Sequence, residues 1–160
     1  MHKVLLVGSG RLSQHLVYWN SLQKSSLQIS NWNRKSHSIE DLKNKIQSVD
    51  LIWLAISDSA LVPFFEEHLL QVKAKVVHFS GALHDARMIS AHPLMSFPVE
   101  LMSAEVYPKI HFALTGAANL QQVLPGLTNS FSLIDEKQKA FYHSLHVVAG
   151  NFPQFLWNES

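Results

Sequence analysis

The 160-residue chain contains no cysteine, which excludes disulfide bonds, thiolate metal sites and a cysteine nucleophile. It also lacks an excess of either charge, because 13 basic residues are balanced by 12 acidic ones. This balance does not favour nucleic acid or an anionic membrane as the main partner. No apolar run approaches the roughly 20 residues that a membrane-spanning helix requires. We therefore expect a cytoplasmic globular protein that acts on a small molecule.

The sequence contains ten histidines, but their spacing does not predict a metal site. The H-E-x-x-H pattern of zinc enzymes is absent. His143 and His146 lie one helical turn apart, yet they supply only two of the ligands that a structural metal requires. We expect no functional metal.

Short apolar runs alternate with helical patterns along most of the chain. Runs of this kind are typical of parallel strands that are covered on both faces. Ser38, followed three residues later by Asp41, forms an approximate capping box at the start of one helix. The alternation predicts an open, doubly wound, mostly parallel α/β sheet. Its expected strands are Lys3–Val7, Leu27–Asn31, Leu51–Ile56, Val76–Phe79, Met88–Ala91 and Ile110–Thr115.

The pattern changes after Asp135, where one helix with many large apolar side chains is predicted. Such a helix needs an apolar partner surface. We expect residues 1–135 to form the α/β domain and residues 136–160 to be the first helix of a truncated, helical dimerisation domain. A homodimer formed through this helix follows as an expectation. The apolar residues are Phe141, Leu145, Val148, Phe152, Phe155, Leu156 and Trp157.

A glycine-rich loop follows the first strand and opens the first helix. In Gly8-Ser9-Gly10-Arg11-Leu12-Ser13, Gly8 permits the tight turn and Gly10 lets a pyrophosphate approach the backbone. The N–H groups at the helix start then face the anion. Ser13 occupies the place of the third glycine in G-x-G-x-x-G, where a small residue is needed for packing. The loop predicts a Rossmann domain that binds a dinucleotide through these six residues.

The segment after the second strand indicates which dinucleotide is bound. NAD-binding proteins usually place an acid there to hold the ribose 2′-hydroxyl, but the segment from Asn31 to Ser36 contains none. Arg34 and Lys35 can neutralise a 2′-phosphate, and Asn33 or Ser36 can donate a hydrogen bond to it. We therefore expect NADP(H) in preference to NAD(H); the open alternative is a solvated polar turn.

Three further segments resemble one family. They are His78-Phe79-Ser80-Gly81-Ala82, the His92 to Pro98 run H-P-L-M-S-F-P, and the Tyr142-His143 to Phe152 stretch. They are similar to motifs of Rossmann-like oxidoreductase-type proteins with a C-terminal helical domain of unknown function. That group is related to pyrroline-5-carboxylate reductase and 6-phosphogluconate dehydrogenase. Relatives that use a catalytic lysine carry it four residues before an asparagine, where this chain has Val147, so that mechanism is not carried over.

Hydride transfer to a carbonyl or imine needs a proton donor, and this requirement indicates candidate catalytic residues. His92 suits this role because imidazole titrates near neutral pH, although it could instead satisfy a turn. Ser80 and Gly81 follow a strand and could contact nicotinamide or substrate, and Asn151 could reach the cleft from the C-terminal helix. Ser57 and Asp58 end the third strand as expected cofactor neighbours, with Asp58 equally suited to cap the next helix. His78, inside a strand, is interpreted as a core histidine.

Two functions are compatible with these features. The first is an NADP-dependent oxidoreductase that transfers hydride to or from a small carbonyl or imine. The second is a non-catalytic module that senses NADP(H) or drives dimerisation.

Overall fold

A computed structural model of the chain describes residues 2–23, 27–146 and 148. Seven strands within these residues form one sheet, in the order β2-β1-β3-β4-β5-β6-β7. The sheet is parallel except between β5 and β6. The strands are β1 (Lys3–Val7), β2 (Gln28–Trp32), β3 (Leu51–Leu54), β4 (Lys75–His78), β5 (Ile89–Pro93), β6 (Phe112–Thr115) and β7 (Phe131–Leu133).

Three α-helices connect the first four strands: α1 (Arg11–Leu22), α2 (Ile39–Ile46) and α3 (Asp58–His68). The predicted capping box is present at α2, where the Ser38 hydroxyl accepts from the Asp41 N–H and the Asp41 carboxylate accepts from the Ser38 N–H. These reciprocal bonds satisfy two N–H groups that the first helical turn leaves unpaired. Among the described helices, none combines the length and hydropathy needed to cross a bilayer.

The sheet is covered on both faces, as the continuous apolar strands predicted. Alternate residues of β1 enter opposite cores: Val4 and Leu6 pack in one, and Leu5 and Val7 in the other. The first core contains Trp19 of α1, which is fully buried. This is the doubly wound α/β architecture that the alternation of strands and helices indicates.

The strands differ from the predicted ones in their bounds and in the direction of one strand: β2 and β4 are each shifted by one residue, and β6 begins at Phe112. β3 ends at Leu54, β5 is shifted to residues 89–93, and β6 runs antiparallel to β5 although we expected it to be parallel. A parallel connection needs a crossover, usually a helix. Residues 94–111 form no α-helix, and the chain returns beside β5 in the opposite direction. β7, which the apolar pattern did not reveal, pairs parallel with β6.

The C-terminal helical segment, residues 139–146, is the described part of the helix predicted within residues 136–160. Phe141 and Leu145 are exposed on it, as is Val148 beyond it. The remainder of the predicted helix, and with it Asn151, lies outside the described residues. The homodimer stays a prediction.

Candidate functional site

The sheet order defines where a ligand can bind. From β1 the chain crosses to β2 on one side, whereas β3 lies on the other side of β1. Doubly wound sheets bind ligands at such a switch point, in the crevice beyond the carboxyl ends of the strands. A cavity of about 900 Å³ occurs here, lined by residues that follow β1, β2 and β3. Its volume falls in the range of pockets that hold small molecules and cofactors.

The cavity combines a polar loop, two cationic side chains and an apolar wall. The loop is Gly8 to Leu12, and the cations Arg34 and Lys35 follow β2. The wall comes from α2 and α3 and from the segment after β5. Its residues are Ile39, Pro63, Phe64 and Phe97, with Glu67 and His68 beside them.

Gly8 is required by the loop for two independent reasons. Its φ of +131° is a conformation that L side chains rarely adopt. A Cβ at this position would also lie 2.3 Å from the backbone oxygen of Ala55, directly after β3. The absence of a side chain therefore lets β1 and β3 approach each other at the switch point.

Hydrogen bonds from two elements hold this turn. The Gly8 N–H donates to the Trp32 oxygen at 2.9 Å. The Gly8 oxygen accepts from the Ser13 hydroxyl at 3.0 Å and from Nδ2 of Asn31 at 2.9 Å. Ser13, which replaces the third glycine, is buried and contributes a bond that glycine could not make. The imperfect motif thus keeps the geometry of the loop.

The start of α1 is open toward the cavity. Gly10 is its N-cap residue, and no side chain caps the helix there. Nothing lies within 4 Å of a Cβ built on Gly10. The first N–H groups of an α-helix lack intrahelical partners, and they carry the positive end of the helix dipole. The arrangement suits a phosphate or pyrophosphate, and a side chain at Gly10 would fill that space.

Asn33 organises the turn that presents the two cations. Its Oδ1 accepts from the N–H groups of Lys35 and Ser36, each at 3.1 Å. The expectation that Asn33 donates to a ligand concerns its Nδ2 group and stays a prediction; Asn33 lines the cavity. Arg34 and Lys35 are exposed at the cavity, whereas Ser36 does not line it.

A buried histidine fixes the segment that follows β5. Nε2 of His15 donates to the Pro98 oxygen at 3.0 Å, so Nδ1 accepts from the Tyr107 hydroxyl at 2.7 Å. The Phe97 ring, 4.9 Å from the His15 ring between centroids, lines the cavity. His15 and Tyr107 thus hold Phe97 against the candidate site. The sequence analysis did not find this pair, because only the fold brings residues 15 and 107 together.

A second polar cluster lies at the carboxyl ends of β4 and β5, on the same edge of the sheet. The Ser80 hydroxyl donates to the Asp58 carboxylate at 2.5 Å. Nδ1 of His92 donates to the Phe79 oxygen at 3.0 Å, and its ring lies 5.1 Å from that of His143 in a T-shaped contact. The fold therefore brings together two predicted catalytic residues, Ser80 and His92.

Burial keeps two histidines of this cluster uncharged. Desolvation lowers the pKa of His92, and Lys139 and His143 lower it further. The same cause lowers the pKa of His78 to about 3. Since Nδ1 of neutral His92 carries the proton given to Phe79, its Nε2 is a hydrogen-bond acceptor. His78 accepts from the Ser80 N–H at 3.3 Å and is the core histidine that its strand position indicated.

Nine of the thirteen residues predicted to bind the cofactor line the cavity: Gly8, Ser9, Gly10, Arg11, Leu12, Asn33, Arg34, Lys35 and Ser57. Ser13 lies beneath the loop. Asp58 neither lines the cavity nor caps α3, because Ser57 is the N-cap residue and the Asp58 carboxylate binds Ser80. Gly81 instead accommodates His143, whose Nδ1 lies 2.1 Å from the position of an added Cβ.

Sequence reasoning missed Lys139, which is only 3% exposed and donates from Nζ to the Leu83 oxygen. No local pattern marks a lysine whose partner is 56 residues away. In the part of the chain that the structure describes, no group of three or more histidine, aspartate or glutamate side chains is arranged to hold a metal.

The geometry defines a class of fold: a doubly wound α/β domain of Rossmann type. No family model and no curated protein matches the chain. Solved structures do match it, at sequence identities that establish the fold alone.

One is protein TM1727 from Thermotoga maritima, with 22% identity and a TM-score of 0.62 over 96% of this chain and 65% of that protein. A second is 1-pyrroline-5-carboxylate reductase from Streptococcus pyogenes, with 19% identity and a TM-score of 0.63 over 98% and 66%. A third is a reductive aminase from Aspergillus terreus solved with NADPH, with 14% identity and a TM-score of 0.63 over 98% and 63%. Other matches hold NAD. The chain spans about two thirds of the length of these proteins.

Proposed function

We propose that the protein binds NADP(H) in the switch-point cavity and transfers hydride between its nicotinamide and a small carbonyl or imine substrate. The observation that carries the proposal is the cavity, which joins an open helix N-terminus at the Gly8–Leu12 loop to the exposed cations Arg34 and Lys35. The fold-level likeness to NAD(P)-dependent reductases supports it.

The residues present fit a dinucleotide from one end to the other. The N–H groups at the start of α1 suit the pyrophosphate, and the space above Gly10 is free for it. Ile39 and Phe64 offer an apolar wall for a base. Arg34 and Lys35 suit a 2′-phosphate, because no carboxylate occurs between Asn31 and Ser36 to repel it.

We infer that the reacting end of such a cofactor would meet the second cluster, because the cluster lies on the same edge of the sheet as the cavity. The bound cofactor would supply hydride chemistry, and the protein's own groups would position the substrate. Nε2 of neutral His92 can accept a hydrogen bond from a hydroxyl or amine. The Ser80 hydroxyl is held by the ionisable Asp58 and can exchange a proton with it. These two residues are the catalytic candidates, whereas Asn151 lies outside the described residues and stays a prediction.

The cofactor assignment is tested by calorimetry with NADPH and NADH on the wild-type chain and on Arg34→Ala. A hydrogen bond to a charged group contributes about 1.5–3 kcal/mol, so losing one good contact should reduce the preference for NADPH by roughly 10- to 100-fold. Affinity for NADH should change little, because it lacks the phosphate.

Lys43→Ala is a matched control, because Lys43 is an exposed cation of α2 that does not line the cavity. It should leave the NADPH-to-NADH ratio unaltered. Equal affinities in the wild type, or an unchanged ratio in Arg34→Ala, would contradict the assignment to NADP(H).

Turnover is tested by following NADPH absorbance with a panel of small carbonyls and imines. NADPH oxidation that is lost when His92 or Ser80 is replaced would support an enzymatic function. Tight NADPH binding without turnover would favour a sensing or dimerisation module instead.

A further inference from the structure

The short turn after β4 is held at both of its ends. On its N-terminal side, the Ser80 hydroxyl oxygen accepts from the Leu83 N–H at 3.0 Å while the hydroxyl donates to Asp58. On its C-terminal side, the Leu83 oxygen accepts from Nζ of Lys139. Leu83 therefore links Lys139 to Ser80 through hydrogen bonds, although 59 positions separate the two residues along the chain.

Lys139 is also an unusual group in its own right. A lysine is rarely buried, because its ammonium loses hydration, yet this side chain is 3% exposed. No carboxylate within the described residues forms a salt bridge with it. Burial lowers the pKa of Lys139 to about 8, while Asp58 opposes this shift. The amine therefore still carries its charge in most molecules at pH 7.

The electrostatic influence of Lys139 reaches the candidate catalytic residues. Its positive charge is one cause of the lowered pKa of His92 and of His78. A positive charge disfavours the protonation of a neighbouring imidazole. Lys139 thus acts on the cluster through its charge, and the 80–83 turn acts on the same cluster through hydrogen bonds.

We propose that Lys139 is a positioning residue for the Ser80–His92 site: it holds the 80–83 turn in place through the Leu83 oxygen, and its charge adds to the burial that disfavours protonation of His92, so that Nε2 of His92 accepts a hydrogen bond from the substrate. This role rests on the proposed function, because it assigns a task to a site that acts on substrate. Lys139 itself does not line the cavity. The consequence for chemistry is that, when a hydroxyl or amine substrate is oxidised to a carbonyl or imine, Nε2 of His92 receives the proton while the hydride goes to NADP⁺.

The groups that bear on His92 come from several elements. Asp58 of α3 raises its pKa, whereas Lys139 and His143 of the C-terminal segment lower it. The ionisable neighbours of the cluster as a whole are His78 of β4, His84 and Asp85 of the following loop, Glu136, and Arg87. A test must therefore change Lys139 alone and read out individual histidines.

The experiment is an NMR titration of the histidine rings in the full chain without cofactor, in the wild type, Lys139→Met and Lys139→Arg. Removing the charge in Lys139→Met should raise the pKa of His92, and Lys139→Arg should restore the wild-type value. Lys137→Met, at an exposed lysine two positions away, should have no effect. A merely structural role would not distinguish methionine from arginine by charge in this way. An unchanged His92 titration in folded Lys139→Met would overturn the proposal.

A second measurement does not depend on whether Lys139→Met folds. In the wild type, the ¹³Cε signal of Lys139 should titrate near pH 8, below the ordinary lysine value of 10.5. A Lys139 midpoint at the ordinary value would refute the buried cation. Neither titration involves NADPH, so their failure is distinct from a failure of the wild type to bind NADPH, which would contradict the proposed function.

Discussion

Replacing Gly8 by alanine should destabilise the whole fold as well as the loop. Holding a non-glycine residue in a sparsely populated backbone region costs about 1–3 kcal/mol. The added Cβ would lie 2.3 Å from the Ala55 oxygen, and because that atom belongs to the backbone after β3, a strand must shift. Overpacking of this kind costs about 1–3 kcal/mol. We expect a loss of about 3 kcal/mol in the free energy of unfolding.

The assay is urea and thermal unfolding followed by far-UV circular dichroism, with NADPH affinity measured on the folded fraction. For a chain of this size, 3 kcal/mol corresponds to a fall in Tm of roughly 6–12 °C. NADPH affinity should fall too, since β1 and β3 flank the cavity.

Gly10→Ala is the matched control for this substitution. Its φ is −76° and no atom lies within 4 Å of the added Cβ. The loss of a favoured N-cap residue, about 1 kcal/mol, is nearly offset by a stiffer unfolded chain, about 0.4–1 kcal/mol. Stability should therefore change by less than about 1 kcal/mol, while the methyl group obstructs the phosphate and NADPH affinity falls. If Gly8→Ala proved as stable as Gly10→Ala, the strain argument would be refuted.

Two further predictions concern hydrogen bonds outside the loop. Tyr107→Phe leaves Nδ1 of the fully buried His15 without its hydrogen-bond donor. The free energy of unfolding in urea should therefore fall by about 1–3 kcal/mol. An unaltered urea midpoint would mean that water replaces the hydroxyl. Hydrogen bonds from Arg87 lower the pKa of Asp85 from 3.8 to about 2, so their stabilisation is complete above pH 3.8 and is lost as the pH falls toward 2. Asp85→Asn should weaken the pH dependence of Tm in that window, and an identical dependence in both proteins would contradict the assignment.

Much of the fold and of the nucleotide loop could be predicted from the sequence. Gly8 and Gly10 stand directly between an apolar strand and an amphipathic helix, so their role depends on backbone sterics within a few residues. The same holds for the capping box at Ser38 and for the cations after β2. Such features are local, because the residues that make them are neighbours in the chain.

The candidate catalytic cluster was predictable only in part. Strand ends indicated Ser80 and His92, because the carboxyl ends of parallel strands meet at one edge. Asp58 was expected to contact the cofactor or cap a helix, and only the packing of α3 against the turn after β4 shows that it binds Ser80. The antiparallel direction of β6 was not predicted either, because a short apolar run does not indicate the direction of a strand.

The sequence by itself determined the alternation of the first four strands with three helices, the glycine-rich loop and the absence of an acid after β2, because each depends on spacing over a few residues. Tertiary structure alone decided that Lys139 reaches Leu83 and that His143 packs on Gly81. Those contacts join residues 56 and 62 positions apart. They form because the chain after β7 packs at this edge of the sheet. There, Gly81 has no side chain to exclude His143, and the Leu83 oxygen accepts the hydrogen bond of Lys139.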